Sequence, residues 1–452
     1  MKHIDGRWLR WATIDSEQLR SSPESSGSAR VSELKASAPA LVTSDELTKR
    51  IGSTAIACRG YDVTNLGRSR ELLEHESYGP VVRSMLEHVS EVSSDALATK
   101  IDLVDHVVAG EPTSLAKFPW DIATIVAMEL VQLELLEQFH NVPVREARMS
   151  FGYSIGELSA LIFGGSFSLE SLLPVPLRLA PDCADLAEDT TLGVLFTRGG
   201  ALHAEDVERL CRAVSAEGNG LIGPSAYLSP NTALLLGQGK TLERIEKLMG
   251  EFIPEKVILR RNPNRWPPLH SPLIWERSIP NRAAIMLYHM HEQPKPPTPS
   301  ILSCVTGEES YDSPDSREIL IRWTDHPQKL WDVIDKTLAG GIELVIHAGP
   351  SPNLIPATFS RLENNVTRQL QQGNKYLHML GRGLASGWNR HAWLTRLLPS
   401  KAALLRLPFL VHVTLEDWLL DHQPSRASAV AIPEGIGQGQ GDQGLASSRE
   451  VV

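Results

Sequence analysis

The 452-residue chain is poor in aromatic residues, at 6%, and has only four cysteines, Cys58, Cys183, Cys211 and Cys304, all far apart. Without C-x-x-C spacing, neither a zinc site nor a disulfide framework is indicated, and a reducing compartment is expected. No apolar run approaches the ~20 residues that span a bilayer, and residues 1–6 lack the apolar region of a signal peptide, so a cytoplasmic protein without a membrane partner is expected. Basic charge is not in excess either: 44 Lys and Arg stand against 54 Asp and Glu, a net charge of −10, which argues against nucleic acid as a partner. No repeat of solenoid period is visible. What is present is 42% apolar content over a length that allows two or three compact units.

Both ends read as polar and mobile. Residues 1–50 include a Ser-Ser-Pro-Glu-Ser-Ser-Gly stretch at 21–27, and residues 424–452 include a Gly/Gln-rich run, so a flexible leader and tail are expected there. Residues 366–423 carry apolar stretches such as Leu404-Leu405-Arg406-Leu407-Pro408-Phe409 and read as a C-terminal helical extension docking on the main body, with Trp388 and Trp393 as anchors.

Within the body, residues 120–139 place Ile122, Ile125, Val126, Met128, Leu130, Val131, Leu133 and Leu136 at helical spacing, which predicts a helix with one broad buried face. Ala147-Arg148-Met149-Ser150-Phe151 then leads into Gly152-Tyr153-Ser154-Ile155-Gly156, followed by Glu157-Leu158-Ser159-Ala160-Leu161. This is a strand, a sharp turn and a helix start. Glycines on either side of a serine held on a strained turn let neighbouring backbone pass close by, and the hydroxyl is left at a helix N-terminus. There the unpaired N–H groups stabilise an oxyanion, the Ile155 N–H being the first donor. A serine hydroxyl is a weak nucleophile without a base, so one of the 15 histidines must serve it. His270 lies in Pro267-Pro268-Leu269-His270-Ser271-Pro272-Leu273-Ile274, 116 residues after Ser154.

Three segments in order, Gly152-Tyr153-Ser154-Ile155-Gly156-Glu157, His270-Ser271-Pro272-Leu273-Ile274 and the late Ala348-Gly349-Pro350, resemble the motifs of the malonyl-CoA:acyl-carrier-protein transacylase family, which includes the acyltransferase domains of fatty-acid and polyketide synthases. The resemblance runs from about residue 55 to about residue 365. It implies an α/β fold: a parallel-sheet, hydrolase-like large lobe from residues 51–191 and 263–365, with an inserted ferredoxin-like small subdomain at 192–262. The pattern of the insertion agrees on its own account, with strands expected at 192–196, 232–237 and 256–260 and helices at 205–214 and 242–252.

The resemblance also implies the chemistry: Ser154 carries an acyl group, His270 is its base, acyl-CoA is the donor substrate, an acyl carrier protein is the acceptor, and no cofactor is bound. A backbone carbonyl near Arg322 or Trp323 would orient His270. Tyr153 stands where the family has a supportive histidine beside the substrate. The family's glycine-rich loop, which supplies a second oxyanion N–H, has a weaker counterpart in Gly60-Tyr61-Asp62-Val63-Thr64-Asn65-Leu66-Gly67, with Thr64 in the role. Malonyl selectivity in the family rests on an arginine 25 residues after the serine; here that position is Leu179, and Arg178 is adjacent, among prolines expected to break the helix and able to turn Arg178 into the pocket. Malonyl is the working label for the acyl group. Two rival functions share parts of the pattern: a serine esterase or lipase, with Asp182, Asp185 or Asp189 as its acid, and a catalytically silent carrier-docking homologue.

Overall fold

The computed structural model describes residues 42–198, 201–313, 315–372 and 404–424. The expected tail, Trp388 and Trp393 lie outside them, as does the leader up to residue 41.

The larger body is built on a six-stranded sheet. Its strands are β1 (Thr54–Cys58), β2 (Met149–Gly152), β7 (Ile301–Leu302), β8 (Glu309–Ser310), β9 (Leu344–Ala348) and β10 (Val411–Thr414), in spatial order β10-β9-β1-β2-β7-β8. All neighbours are parallel except the terminal β7–β8 pair. β1, β2 and β9 are buried at every residue, as a parallel sheet covered on both faces requires. The two-residue alternation of a strand divides the core. Ile56 and Cys58 face the apolar cluster that holds Ile122, Val126 and Leu161, while Ala55 and Ala57 face the one that holds Val333, Ile334 and Phe359.

The helices used below are α1 (Gly79–Leu97), α2 (Phe118–His140), α3 (Ile155–Phe163), α4 (Pro174–Ala187), α5 (Ala204–Ala216), α6 (Thr241–Phe252), α7 (Ser316–Asp325), α8 (Leu330–Ala339), α9 (Leu354–Gln372) and α10 (Leu415–Asp421). α2 is buried nearly all round, which fits its continuous apolar sequence better than a single face does. No described helix is long and apolar enough to cross a membrane.

The smaller body is a β-α-β-β-α-β unit: β3 (Thr190–Thr197), α5, β4 (Ile222–Ser229), β5 (Thr232–Gln238), α6 and β6 (Val257–Arg265), with antiparallel order β4-β5-β3-β6. Leu195, Ala233, Leu235 and Val257 pack under Val207, Leu210 and Ile245, so both helices cover one face. The opposite face turns toward the large body, where Leu234 packs against its core.

Three elements differ from the sequence reading. β4 was not expected, because Gly223-Pro224-Ser225 has turn composition; the strand accommodates Pro224 at a register irregularity beside it. The C-terminal extension is not only helical, since β10 joins the main sheet beside β9 before α10 begins. The end of the expected leader is ordered: Ser44–Arg50 is a helix capped by the Thr43 hydroxyl, and it buries Leu47.

Candidate active site

Cys58 of β1 is in register with Gly152 of β2 and with Ala348 of β9, so the loops leaving these strands converge at one edge of the sheet. That edge, at the carboxyl ends of parallel strands, is where α/β folds place ligands.

Ser154 sits in the sharp turn between β2 and α3 with φ 56° and ψ −120°, a strained conformation for a residue with a Cβ. The flanking glycines are required by contact. A Cβ on Gly152 would lie 2.0 Å from the Gly156 carbonyl carbon, and one on Gly156 would lie 2.3 Å from the Arg59 carbonyl oxygen. Two hydrogen bonds pin the turn from α7 and the segment after it. Trp323 Nε1–H donates to the Ser154 carbonyl at 2.9 Å, and the Ser154 N–H donates to Gln328 Oε1 at 3.2 Å.

The Ser154 hydroxyl lies 2.7 Å from His270 Nε2. His270 has φ 62° and is buried; its N–H donates to the Thr324 carbonyl at 2.7 Å, and its Nδ1 lies 2.6 Å from the Trp323 carbonyl. A carbonyl only accepts, so this short contact places the proton on Nδ1 and leaves the Nε2 lone pair for the serine hydroxyl. Gln328 Nε2 is 3.2 Å from the same Nδ1. It cannot be the stronger partner, because both nitrogens would present hydrogens. Its amide is held instead by the Ser154 N–H on its oxygen.

Burial pushes the His270 imidazole down to about 4, against the opposing pull of the Trp323 carbonyl. The neutral, proton-accepting form therefore persists well below the usual histidine range. Any reaction in which His270 Nε2 takes the Ser154 proton is expected to speed up as pH rises through about 4 and to be flat above about 6. A rate profile that rises with a midpoint near 6.5 would show that His270 titrates as an exposed imidazole.

The other expected site residues separate. The Ile155 N–H, first of α3, donates to no protein acceptor among the described residues and is free for an oxyanion. Thr64 is exposed, and its carbonyl accepts from Arg59 Nη2. The loop approaches Ser154 at Gly60 instead: a Cβ there would be 3.3 Å from Ser154 Cβ and 2.8 Å from the Tyr153 carbonyl oxygen. The next peptide N–H is that of Tyr61, which also donates to no described protein acceptor. Tyr153 is buried in the core beneath the turn with Phe151 and Leu302, a packing position.

Arg178 is not brought to the serine. α4 runs unbroken from Pro174 to Ala187 because Pro174 and Pro176 occupy its first turn, where N–H groups have no helical partner in any case; only Pro181 removes an interior bond. Arg178 is exposed, and its Nε donates to the Ala96 carbonyl at the end of α1, while Leu179 is buried in the core. Among the described residues no lysine or arginine side chain hydrogen-bonds or ion-pairs with Ser154, His270 or Gln328.

Sequence reasoning missed Gln328 and Arg59. Arg59 is fully buried, and its guanidinium donates to the carbonyls of Gly60 and Pro350 and to Asn65 Oδ1, tying the loop after β1 to the loop after β9. An arginine directly after a buried strand and before glycine was the available signal. No group of three His, Cys, Asp or Glu among the described residues is placed to hold a metal ion.

No family model matches the chain, and no curated protein matches it. Solved structures do. The chain is similar to FabD from Acinetobacter baumannii at 20% identity and TM-score 0.54, over 68% of this chain and 90% of that one. It is similar to the acyl-carrier-protein S-malonyltransferase of Bartonella henselae at 17% identity and TM-score 0.53, over 82% of this chain and 98% of that one. It is also similar to a malonyl-transacylase solved in complex with its type II polyketide-synthase acyl-carrier protein, at 18% identity and TM-score 0.51, over 68% and 92%. At such identities the likeness is one of fold. The fold of this chain is that of the malonyl-CoA:acyl-carrier-protein transacylases.

Proposed function

We propose that the protein is an acyltransferase that moves an acyl group from coenzyme A to the thiol of an acyl carrier protein through an acyl-Ser154 intermediate. The observation that carries this reading is the 2.7 Å contact between Ser154 Oγ and His270 Nε2, with Nδ1 held on the Trp323 carbonyl. In the first half, His270 Nε2 takes the hydroxyl proton as Oγ bonds to the thioester carbonyl carbon; the C–S bond breaks, and the thiolate leaves with the proton returned from His270. In the second half, a carrier thiol gives its proton to His270, its sulfur attacks the ester, and Ser154 Oγ leaves and is reprotonated. The free N–H of Ile155, with that of Tyr61 as second donor in place of Thr64, receives the oxyanion in both halves.

The fold neighbours support a carrier protein as partner, one of them having been solved with it. The strand order β4-β5-β3-β6 supports the ferredoxin-like reading of the small body. An esterase would need an acid beside the histidine, whereas here a backbone carbonyl occupies Nδ1 and Asp182 pairs with Arg282. With acyl-CoA and a holo carrier both present, acyl-carrier is the expected product. Free acid as sole product would favour the esterase, and no consumption the silent homologue.

The neighbours named here are malonyl transferases, but counting 25 residues on from Ser154, where the resemblance puts the carboxylate-binding arginine, gives the buried Leu179, and the adjacent Arg178 bonds to the Ala96 carbonyl instead. The acyl group we infer is accordingly uncharged. Arg178→Ala is expected to leave Ser154 loading by both malonyl-CoA and acetyl-CoA within about twofold of wild type, since a charged hydrogen bond, ~1.5–3 kcal/mol, would be lost only if the guanidinium met the substrate. A selective drop with malonyl-CoA would restore the clamp.

A further inference from the structure

Two guanidinium groups stand together between the bodies with no ion-pair partner among the described residues. Arg260 of β6 lies over the Phe196 ring of β3 at 5.4 Å, and Arg361 of α9 donates to Thr232 Oγ1 of β5 at 2.6 Å. Phe196 and Thr232 are directly paired across β3 and β5, so one cross-strand pair carries both cations. Arg361 is half-buried and Arg260 exposed, and neither takes part in an ion pair among the described residues. Burial and the facing Arg260 charge both lower the hold of Arg361 on its proton, and no carboxylate offsets them. In a chain of net charge −10, two adjacent cations left unpaired mark a place for an anion.

Their position supplies the kind of anion. β6 runs on to Trp266, whose ring meets that of Tyr61 at 5.7 Å, and Tyr61 follows the Gly60 that packs on Ser154. α9 follows the loop of Pro350, whose carbonyl is tied to Arg59 beside the same glycine. The two elements that carry the arginines thus reach the loop over the nucleophile by their ends, while the arginines themselves stand further out. Six residues of extended strand, ~20 Å, separate Arg260 from Trp266, which sets the pair away from Ser154 by the reach of a long substrate arm.

We infer that Arg260 and Arg361 form a phosphate-binding subsite for the pantetheine arm of the thioester substrate, at the end of the arm away from sulfur. This rests on the acyltransferase reading. The same chemistry occurs in coenzyme A and in the phosphopantetheine of a holo carrier. Planar guanidinium forks suit a phosphate, and the Phe196 ring keeps Arg260 in place when the site is empty.

The test is calorimetric titration of wild type, Arg260→Gln, Arg361→Gln and the double variant with coenzyme A, with 4′-phosphopantetheine and with pantetheine. The double variant should bind the first two about tenfold or more weakly and pantetheine as wild type does. Unchanged coenzyme A affinity, or an equal loss with pantetheine, overturns the subsite. Arg260→Gln alters an exposed side chain and keeps the proposal testable if the half-buried Arg361 variant fails to fold. Binding is read without turnover, so failure of the acyltransferase reading would appear separately, as absence of loading in wild type. Where loading occurs, a raised KM for acyl-CoA alone assigns the subsite to the donor, a raised KM for holo carrier alone assigns it to the acceptor, and a rise in both assigns it to the shared arm.

Discussion

His270→Ala is expected to slow acylation of Ser154 by about 10²–10⁴-fold, the usual contribution of a positioned general base. The Ser154 hydroxyl has no other hydrogen-bonded partner among the described residues, so nothing nearby can take over the proton. Gln328 is close to both residues, but its amide oxygen is engaged by the Ser154 N–H and its nitrogen accepts no proton. The backbone bond from residue 270 to the Thr324 carbonyl survives the change, although alanine tolerates the left-handed φ of 62° less well than histidine does. His270→Asn, whose side chain accepts that conformation, separates lost catalysis from local strain. Single-turnover loading read by mass should be slow in both variants; wild-type rates in either would remove His270 from the reaction.

Gly156→Ala is expected to cost about 3 kcal/mol or more, beyond ordinary overpacking. The new Cβ would lie 2.3 Å from the Arg59 carbonyl oxygen and 2.4 Å from that of Cys58. Cys58 ends β1 and Arg59 follows it directly; β1 is clamped between β2 and β9, so the backbone cannot give way without breaking the central ladder. Gly250→Ala, in α6 with nothing within 4 Å of the added carbon, serves as the comparison and should stabilise by about 0.5–1 kcal/mol. Denaturant midpoints measure both. Similar midpoints for the two variants would contradict the close backbone approach on which the turn depends.

Local patterns in the sequence carried much of this. Gly152-x-Ser154-x-Gly156 announces a strained turn because only glycine lets strand and helix backbones approach so closely, and the proximity of residues 322–323 to His270 was expected from the resemblance. What was not legible depends on contacts between distant segments. Nothing in Gly60-Tyr61-Asp62-Val63-Thr64 says which residue meets Ser154; the Arg59 bonds to Pro350 and Asn65 decide it. Gln328 acquires its place only when the segment after α7 folds against the turn. The prolines of α4 misled because proline counts against a helix interior, whereas two of the three stand in its first turn. β10 carries no strand signal strong enough to stand out beside its helical neighbour, and it pairs with a strand more than sixty residues earlier.

The central claim is that Ser154 carries the acyl group. Intact-mass analysis of wild type and Ser154→Ala after incubation with acetyl-CoA or malonyl-CoA, followed by peptide mapping, tests it directly. The account predicts one acyl increment on the wild-type peptide that contains Ser154 and none on the variant, with the variant's fold unchanged because a single hydroxyl is removed. An increment retained by Ser154→Ala, or wild type left unmodified by both donors, would contradict it.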